Sequence, residues 1–154
     1  MRLRDNFGNP SGLIGRVMLS GMNMGHSPMA LWGLQQLSLP REGGIVDIGC
    51  GGGRTIHTLS QNVTFGKVYG ADYSETALEC AAEYNAAEIA ADKIKLINAS
   101  VESLPFSDQT FDKIVSVESF YFWPSPVNNL REVLRILKIG GTFLLIAEIH
   151  GDAD

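Results

Sequence analysis

A chain of 154 residues is long enough for one domain that buries its own core, with no need of a disulfide or metal staple. Its 12 Lys and Arg against 17 Asp and Glu leave a net charge of -5 and no basic stripe, which excludes a nucleic-acid backbone or an anionic membrane as the main partner. The two cysteines, Cys50 and Cys80, fit no CxxC or Cys/His ligand pattern, so they read as reduced thiols and no metal is expected.

Residues 1–40 read as an N-terminal helical arm or lid. Within it, residues 1–26 are irregular, with glycines at 8, 12, 15, 21 and 25. No apolar stretch there suits a signal peptide, and no run in the chain approaches the roughly 20 apolar residues of a membrane span, so a cytoplasmic location is the expectation. Ser27 as N-cap and Pro28 at the first helical position start a helix with Met29, Trp32, Leu34 and Leu37 as its apolar stripe, and Pro40 stops it. Trp32 is expected in the core.

From residue 43 to 149 the pattern alternates between strand and helix. Gly44–Ile48 is the first strand, Gly49–Gly53 a turn, and Arg54 opens a helix. Lys67–Ala71 is the second strand, and Ser74 caps a single alanine-rich helix running to about Ala90. Ile94–Ile97 is the third strand and Lys113–Val117 the fourth, nearly continuous in apolar character as strands covered on both faces are. Pro126 starts a helix with Val127, Leu130, Val133, Leu134 and Leu137 at helical spacing, Gly140-Gly141 ends it, and Thr142–Ile149 is the fifth strand. Five strands alternating with helices and lacking hairpin turns predict a doubly wound, mainly parallel α/β sheet with right-handed crossovers and helices on both faces.

Ligands of such sheets bind beyond the carboxyl ends of the strands, which directs attention to the turn Gly49-Cys50-Gly51-Gly52-Gly53. A dinucleotide fingerprint G-x-G-x-x-G does not fit: counted from Gly49 the third glycine position is Arg54, and counted from Gly51 it is Ile56. Asp47, two positions before the first glycine, would repel a pyrophosphate and attract a cation. The second carboxylate is Asp72, 19 positions after Gly53 and next to Tyr73.

Asp47-Ile48-Gly49-Cys50-Gly51-Gly52-Gly53 followed by Asp72 resembles motifs I and II of the class I, Rossmann-like methyltransferases. Ala99-Ser100-Val101-Glu102-Ser103-Leu104-Pro105-Phe106 with Phe111-Asp112 resembles their next segment, and Leu130–Gly141 resembles their last helix and turn. The resemblance implies strand order 3-2-1-4-5 and S-adenosylmethionine as cofactor, with S-adenosylhomocysteine as product. It places Asp47 near the cofactor's amino group and the glycine loop, with Gly49, Cys50, Gly51 and Gly53, along its methionyl part. Asp72 and Tyr73 fall at the ribose, and Ser100, Val101 and Glu102 on the adenine side. In the family an Asp often stands where this chain has Ser100. Val117 lines the end of the fourth strand.

Methyl transfer to a small-molecule acceptor is the function this implies, with Leu104-Pro105-Phe106 and Phe122-Trp123-Pro124 resembling the small-molecule subgroup. Glu118 and His26 are the candidates for a catalytic role, though methyl transfer needs mainly positioning and charge placement. Tyr121, Phe122 and Trp123 either line the acceptor or pack as core, and His57 reads as helix surface. The family's sixth and seventh strands are absent, which implies a fragment of a longer methyltransferase or self-association through the exposed edge of the fifth strand. The other readings are a module that binds the cofactor without turnover and a nicotinamide-dependent oxidoreductase.

Overall fold

A computed structural model describes residues 12–13, 15–17, 28–40 and 42–148. Helix α1 (Pro28–Gln35) precedes strand β1 (Gly44–Ile48), helix α2 (Arg54–Asn62) and strand β2 (Lys67–Asp72). Helices α3 (Glu75–Tyr84) and α4 (Ala86–Ala90) lead to β3 (Ile94–Asn98), then β4 (Phe111–Val117), a 3₁₀ turn at Phe120–Phe122, α5 (Pro126–Ile136) and β5 (Leu137–Ile146). The sheet runs β3-β2-β1-β4-β5, every neighbouring pair parallel, so the order that the family resemblance implies holds and β5 lies at one edge.

Because successive strand residues face opposite sides, the sheet builds two apolar layers. Ile45, Val68, Ile94 and Val115 meet Ile56 and Leu59 of α2, Leu34 of α1 and Leu37 just beyond it on one face. Val46, Ala71, Ile114 and Phe111 meet Val133 and Ile136 of α5, with Trp123, on the other. Helices therefore cover both faces, as the doubly wound reading requires. Among the described residues no helix is long and apolar enough to cross a membrane.

Three expectations are corrected. Trp32 is 63% exposed: α1 approaches the sheet through Gly33, where an added Cβ would come within 2.6 Å of Ile146, and this turns Trp32 outward. The alanine-rich helix breaks at Asn85, whose backbone leaves helical geometry at φ -110° while its side chain turns inward. The fifth strand begins at Leu137 and carries Gly140-Gly141 inside it as an irregularity, with Leu137 opposite Phe111 and Thr142 opposite Lys113. Ser27 and Ile149, the expected cap and strand end, lie outside the described residues.

Candidate cofactor site

With all five strands parallel, their carboxyl ends share one edge of the sheet, and the singled-out residues gather there. The glycine loop follows β1, Asp72 closes β2, Ser100–Glu102 follow β3, and Glu118 follows β4. Two adjacent backbone amides, of Gly49 and Cys50, donate to the carbonyl of Ala71 at 2.8 and 3.1 Å, which folds the loop back over β2. Gly49 at φ +77° rests against Ser119, whose hydroxyl donates to the Ile48 carbonyl at 2.9 Å. That uses Ser119's proton, so the 2.7 Å contact with buried Ser116 has Ser116 as donor.

These contacts assign the glycines different tasks. A Cβ on Gly49 would lie 2.5 Å from Ser119 Cβ, whereas one on Gly140, also left-handed at φ +80°, would meet open space. Gly140→Ala is expected to cost only the backbone penalty of about 1–2 kcal/mol, and Gly49→Ala distinctly more because Ser119 must move. Urea unfolding of the two variants measures the difference.

Asp72 is the hub of the site. One of its oxygens accepts from the Gly51 amide and the other from the Ser74 amide, both at 2.9 Å. The carboxylate thus ties loop to strand and still has acceptor capacity for a diol. Burial raises its pKa, and the amide hydrogen bonds pull it back down. Tyr73, beside it, is exposed, and its phenol is pushed up by partial burial and by the Asp72 charge.

Asp47 differs sharply. It is 1% exposed, and its Oδ1 is the one buried side-chain polar atom among the described residues with no hydrogen-bond partner. Burial, with the neighbouring Asp72 charge, pushes its pKa up to about 8. A buried acceptor without a donor is costly. A cationic group brought to it would supply both the missing partner and the missing charge.

Cys50 turns away from this edge. Its buried thiol packs over Gly70, where an added Cβ would lie 2.9 Å from Sγ, and burial pushes its pKa well up. Val101 is likewise core, leaving only its backbone for a ligand. Ser100 accepts from the Glu102 amide at 3.2 Å and donates to the Glu102 carboxylate at 3.3 Å, which holds an exposed carboxylate beside the hydroxyl. Val117 is partly buried against the α1 layer.

Glu118 sits in left-handed backbone geometry at φ +54°, a conformation that costs energy for a residue with a side chain. One of its oxygens accepts from the Tyr121 hydroxyl at 2.8 Å and the other from the Glu148 amide at 3.0 Å. Burial and the Glu118 charge push the Tyr121 phenol up to about 12, so it stays a donor at neutral pH. This clasp joins the end of β4 to the chain after β5. The aromatic segment divides: Trp123 is core, stacked near Phe143, while Tyr121 and Phe122 are exposed. His26 lies outside the described residues.

Two features went unseen in the sequence. Leu104–Asp108 is held by α5, with the Leu104 amide donating to Glu132 at 2.8 Å and Arg135 donating to the carbonyls of Leu104 and Phe106 and to Asp108. His57 is not plain helix surface: it lies 3.2 Å from Asn85 and edge-on to Tyr84. Only the helix-breaking tendency of Asn hinted at the second.

Residues 46–145 match the methyltransferase domain family. The chain is 35% identical over 106 residues to the chloroplastic 2-methyl-6-phytyl-1,4-hydroquinone methyltransferase 1 of rice, covering 69% of this chain and 31% of that protein. It thus spans about a third of that relative's length. A chain of the solved complex between the Trm112 methyltransferase activator and a methyltransferase of Haloferax volcanii superposes with a TM-score of 0.77 at 29% identity, covering 84% of this chain and 55% of that one. An S-adenosyl-L-methionine-dependent methyltransferase of Methanococcus maripaludis shares the fold, with a TM-score of 0.73 at 24% identity over 85% of this chain and 61% of that one. With its sheet order, its glycine loop and both acidic residues in place, the chain belongs to the class I, S-adenosylmethionine-dependent methyltransferase family.

Proposed function

We propose that this chain binds S-adenosylmethionine at the Asp47–Asp72 edge and passes its methyl group to a small-molecule acceptor. The observation that carries this is Asp47, a buried carboxyl group with an unpartnered oxygen at the end of β1. Asp47 would meet the cofactor's amino group, Asp72 the ribose hydroxyls, and Glu102, held by Ser100, the adenine amino group. When bound, the sulfonium supplies an activated methyl open to in-line displacement. The chain's own work is positioning: the loop backbone and the two carboxylates orient the cofactor and balance its positive charge.

Glu118 and the exposed Tyr121 and Phe122 stand on the edge where an acceptor would approach, and a flat, partly apolar molecule suits them. The hydroquinone acted on by the rice relative has that character. A second reading, cofactor binding without turnover, is favoured by the Glu118 carboxylate serving as a clasp between Tyr121 and the Glu148 amide. Calorimetry with S-adenosylmethionine and with NAD is the first test, and binding of NAD alone would sink the proposal. Transfer of a labelled methyl group across a panel of phenols, quinols, amines and carboxylic acids is expected to give sustained product. A chain that binds the cofactor and modifies none of them would leave the binding-module reading standing.

A further inference from the structure

The glycine loop has no side chain able to hold its far end, yet Gly53 adopts φ +87° and caps α2 with no side-chain hydrogen bond of its own. Asn85 supplies the anchor from another element. Its side chain is fully buried at 0% exposure, and its amide nitrogen donates to the carbonyls of Gly53 and Ala81, both at 3.0 Å. The Gly53 carbonyl also accepts the His57 amide at 3.1 Å, so the loop's last carbonyl is saturated. The fit is reciprocal: a Cβ on Gly53 would lie 2.5 Å from the Asn85 amide nitrogen and 2.9 Å from Ala81 Cβ.

Two carbonyl acceptors around one end of the amide decide which way Asn85 points. Its oxygen must face the other way, toward His57 Nδ1 at 3.2 Å, and an acceptor there requires the His57 proton on Nδ1. Glu88 lies 3.5 Å from the same nitrogen and also accepts from Gln61, which reinforces that tautomer. The break between α3 and α4 at Asn85 now has a reason. The residue leaves helical geometry where its side chain reaches across to the loop.

We propose that Asn85, oriented by His57, is a positioning residue for cofactor binding: it locks the Gly53 end of the loop while Asp72 holds Gly51 and Ser119 supports Gly49. The proposal rests on the cofactor reading above. It touches no reacting atom and acts through the loop backbone, so its effect falls on cofactor affinity.

In the wild-type chain, long-range proton–nitrogen spectra above pH 8 are expected to show His57 as the Nδ1–H tautomer, and an Nε2–H tautomer would overturn the assignment without any mutation. Calorimetry with S-adenosylhomocysteine is expected to show about 2- to 12-fold weaker binding by Asn85→Ala, the range of one neutral hydrogen bond. Asn85→Ser, whose hydroxyl can serve one of the two carbonyls, should fall between, and it stands in if the alanine variant does not fold. Val133→Ala, which opens a cavity on the opposite face, serves as the control, with lower melting temperature and unchanged affinity. If the Asn85 variants behave like that control, the residue is structural only and the proposal fails. A wild-type chain that binds no S-adenosylhomocysteine would instead defeat the cofactor reading itself.

Discussion

Asp72→Ala is expected to weaken S-adenosylmethionine binding by about 10- to 150-fold, the range of one charged hydrogen bond. The upper end is favoured because the substitution removes two things together. It takes away the acceptor for a ribose diol, and it releases the Gly51 amide that the carboxylate now holds at 2.9 Å. Asp72→Asn separates these contributions. Asn has one acceptor oxygen, while both Asp72 oxygens receive a backbone amide, so its NH₂ must face either Gly51 or Ser74 donor to donor. The near-isosteric change should therefore rescue little, with Asp72→Asn binding within a few-fold of Asp72→Ala. Calorimetry on both variants measures this, and wild-type affinity in either would remove Asp72 from the site.

Cofactor affinity is expected to rise about tenfold per pH unit between pH 5.5 and 6.5 and to flatten toward pH 8, because Asp47 must lose a proton to meet a cation. Its pKa of about 8 in the cofactor-free chain leaves it neutral over the steep part of that range, while an α-amino group with a pKa near 7.7–8.0 stays charged. Binding therefore releases a proton, which calorimetry in buffers of different ionisation enthalpy counts directly. Asp47→Asn should bind weakly with a flat pH profile.

The stability prediction for the same residue has the opposite sign. An Asp raised from 3.8 to about 8 on folding is protonated in the native chain and ionised in the unfolded one. Stability of the cofactor-free chain is thus fully present below pH 4 and is lost at about 1.4 kcal/mol per pH unit as pH rises toward 8. Asp47→Asn should accordingly melt higher than the wild type at pH 7 without cofactor and gain less from adding it. A lower melting temperature for Asp47→Asn would show that the carboxyl group is not strained by burial. Such exchange of stability for binding is common where a site is built before its ligand arrives.

Much of the site was legible because its signals are local. A glycine run after a β-branched strand, with an acidic residue before it and another one β-α unit later, specifies ligand charge by spacing alone. Asp47 and Asp72 both stand at the edge where that reading put them. The same reading placed Cys50 in the ligand loop and Val101, through its backbone, on the adenine side, and the side chains of both belong to the core. Motif position alone does not say which way a side chain points. Glu118 was singled out for its place after β4, and only the folded chain shows its carboxylate already shared between Tyr121 and Glu148, 27 residues apart.

Asn85 was invisible for the same reason. In an alanine-rich stretch it reads as one weak helix former among strong ones. Its partner Gly53 lies 32 residues earlier, on another element. Trp32 misled in the reverse direction: helical spacing marked an apolar stripe, but the close approach of Gly33 to Ile146 rotated the helix so that the Trp faces out.

By itself the sequence determined the five strands and their alternation with helices, since periodicity and turn residues act over short distances along the chain, and the family resemblance supplied their order. Only the tertiary structure decided that Asp47 keeps a buried oxygen unpartnered, that Asp72 anchors the glycine loop through the Gly51 amide, and that Asn85 holds Gly53. Those facts depend on which backbone amides and carbonyls from distant segments meet, and hydrogen-bond satisfaction in a closed core is settled only when every segment is in place.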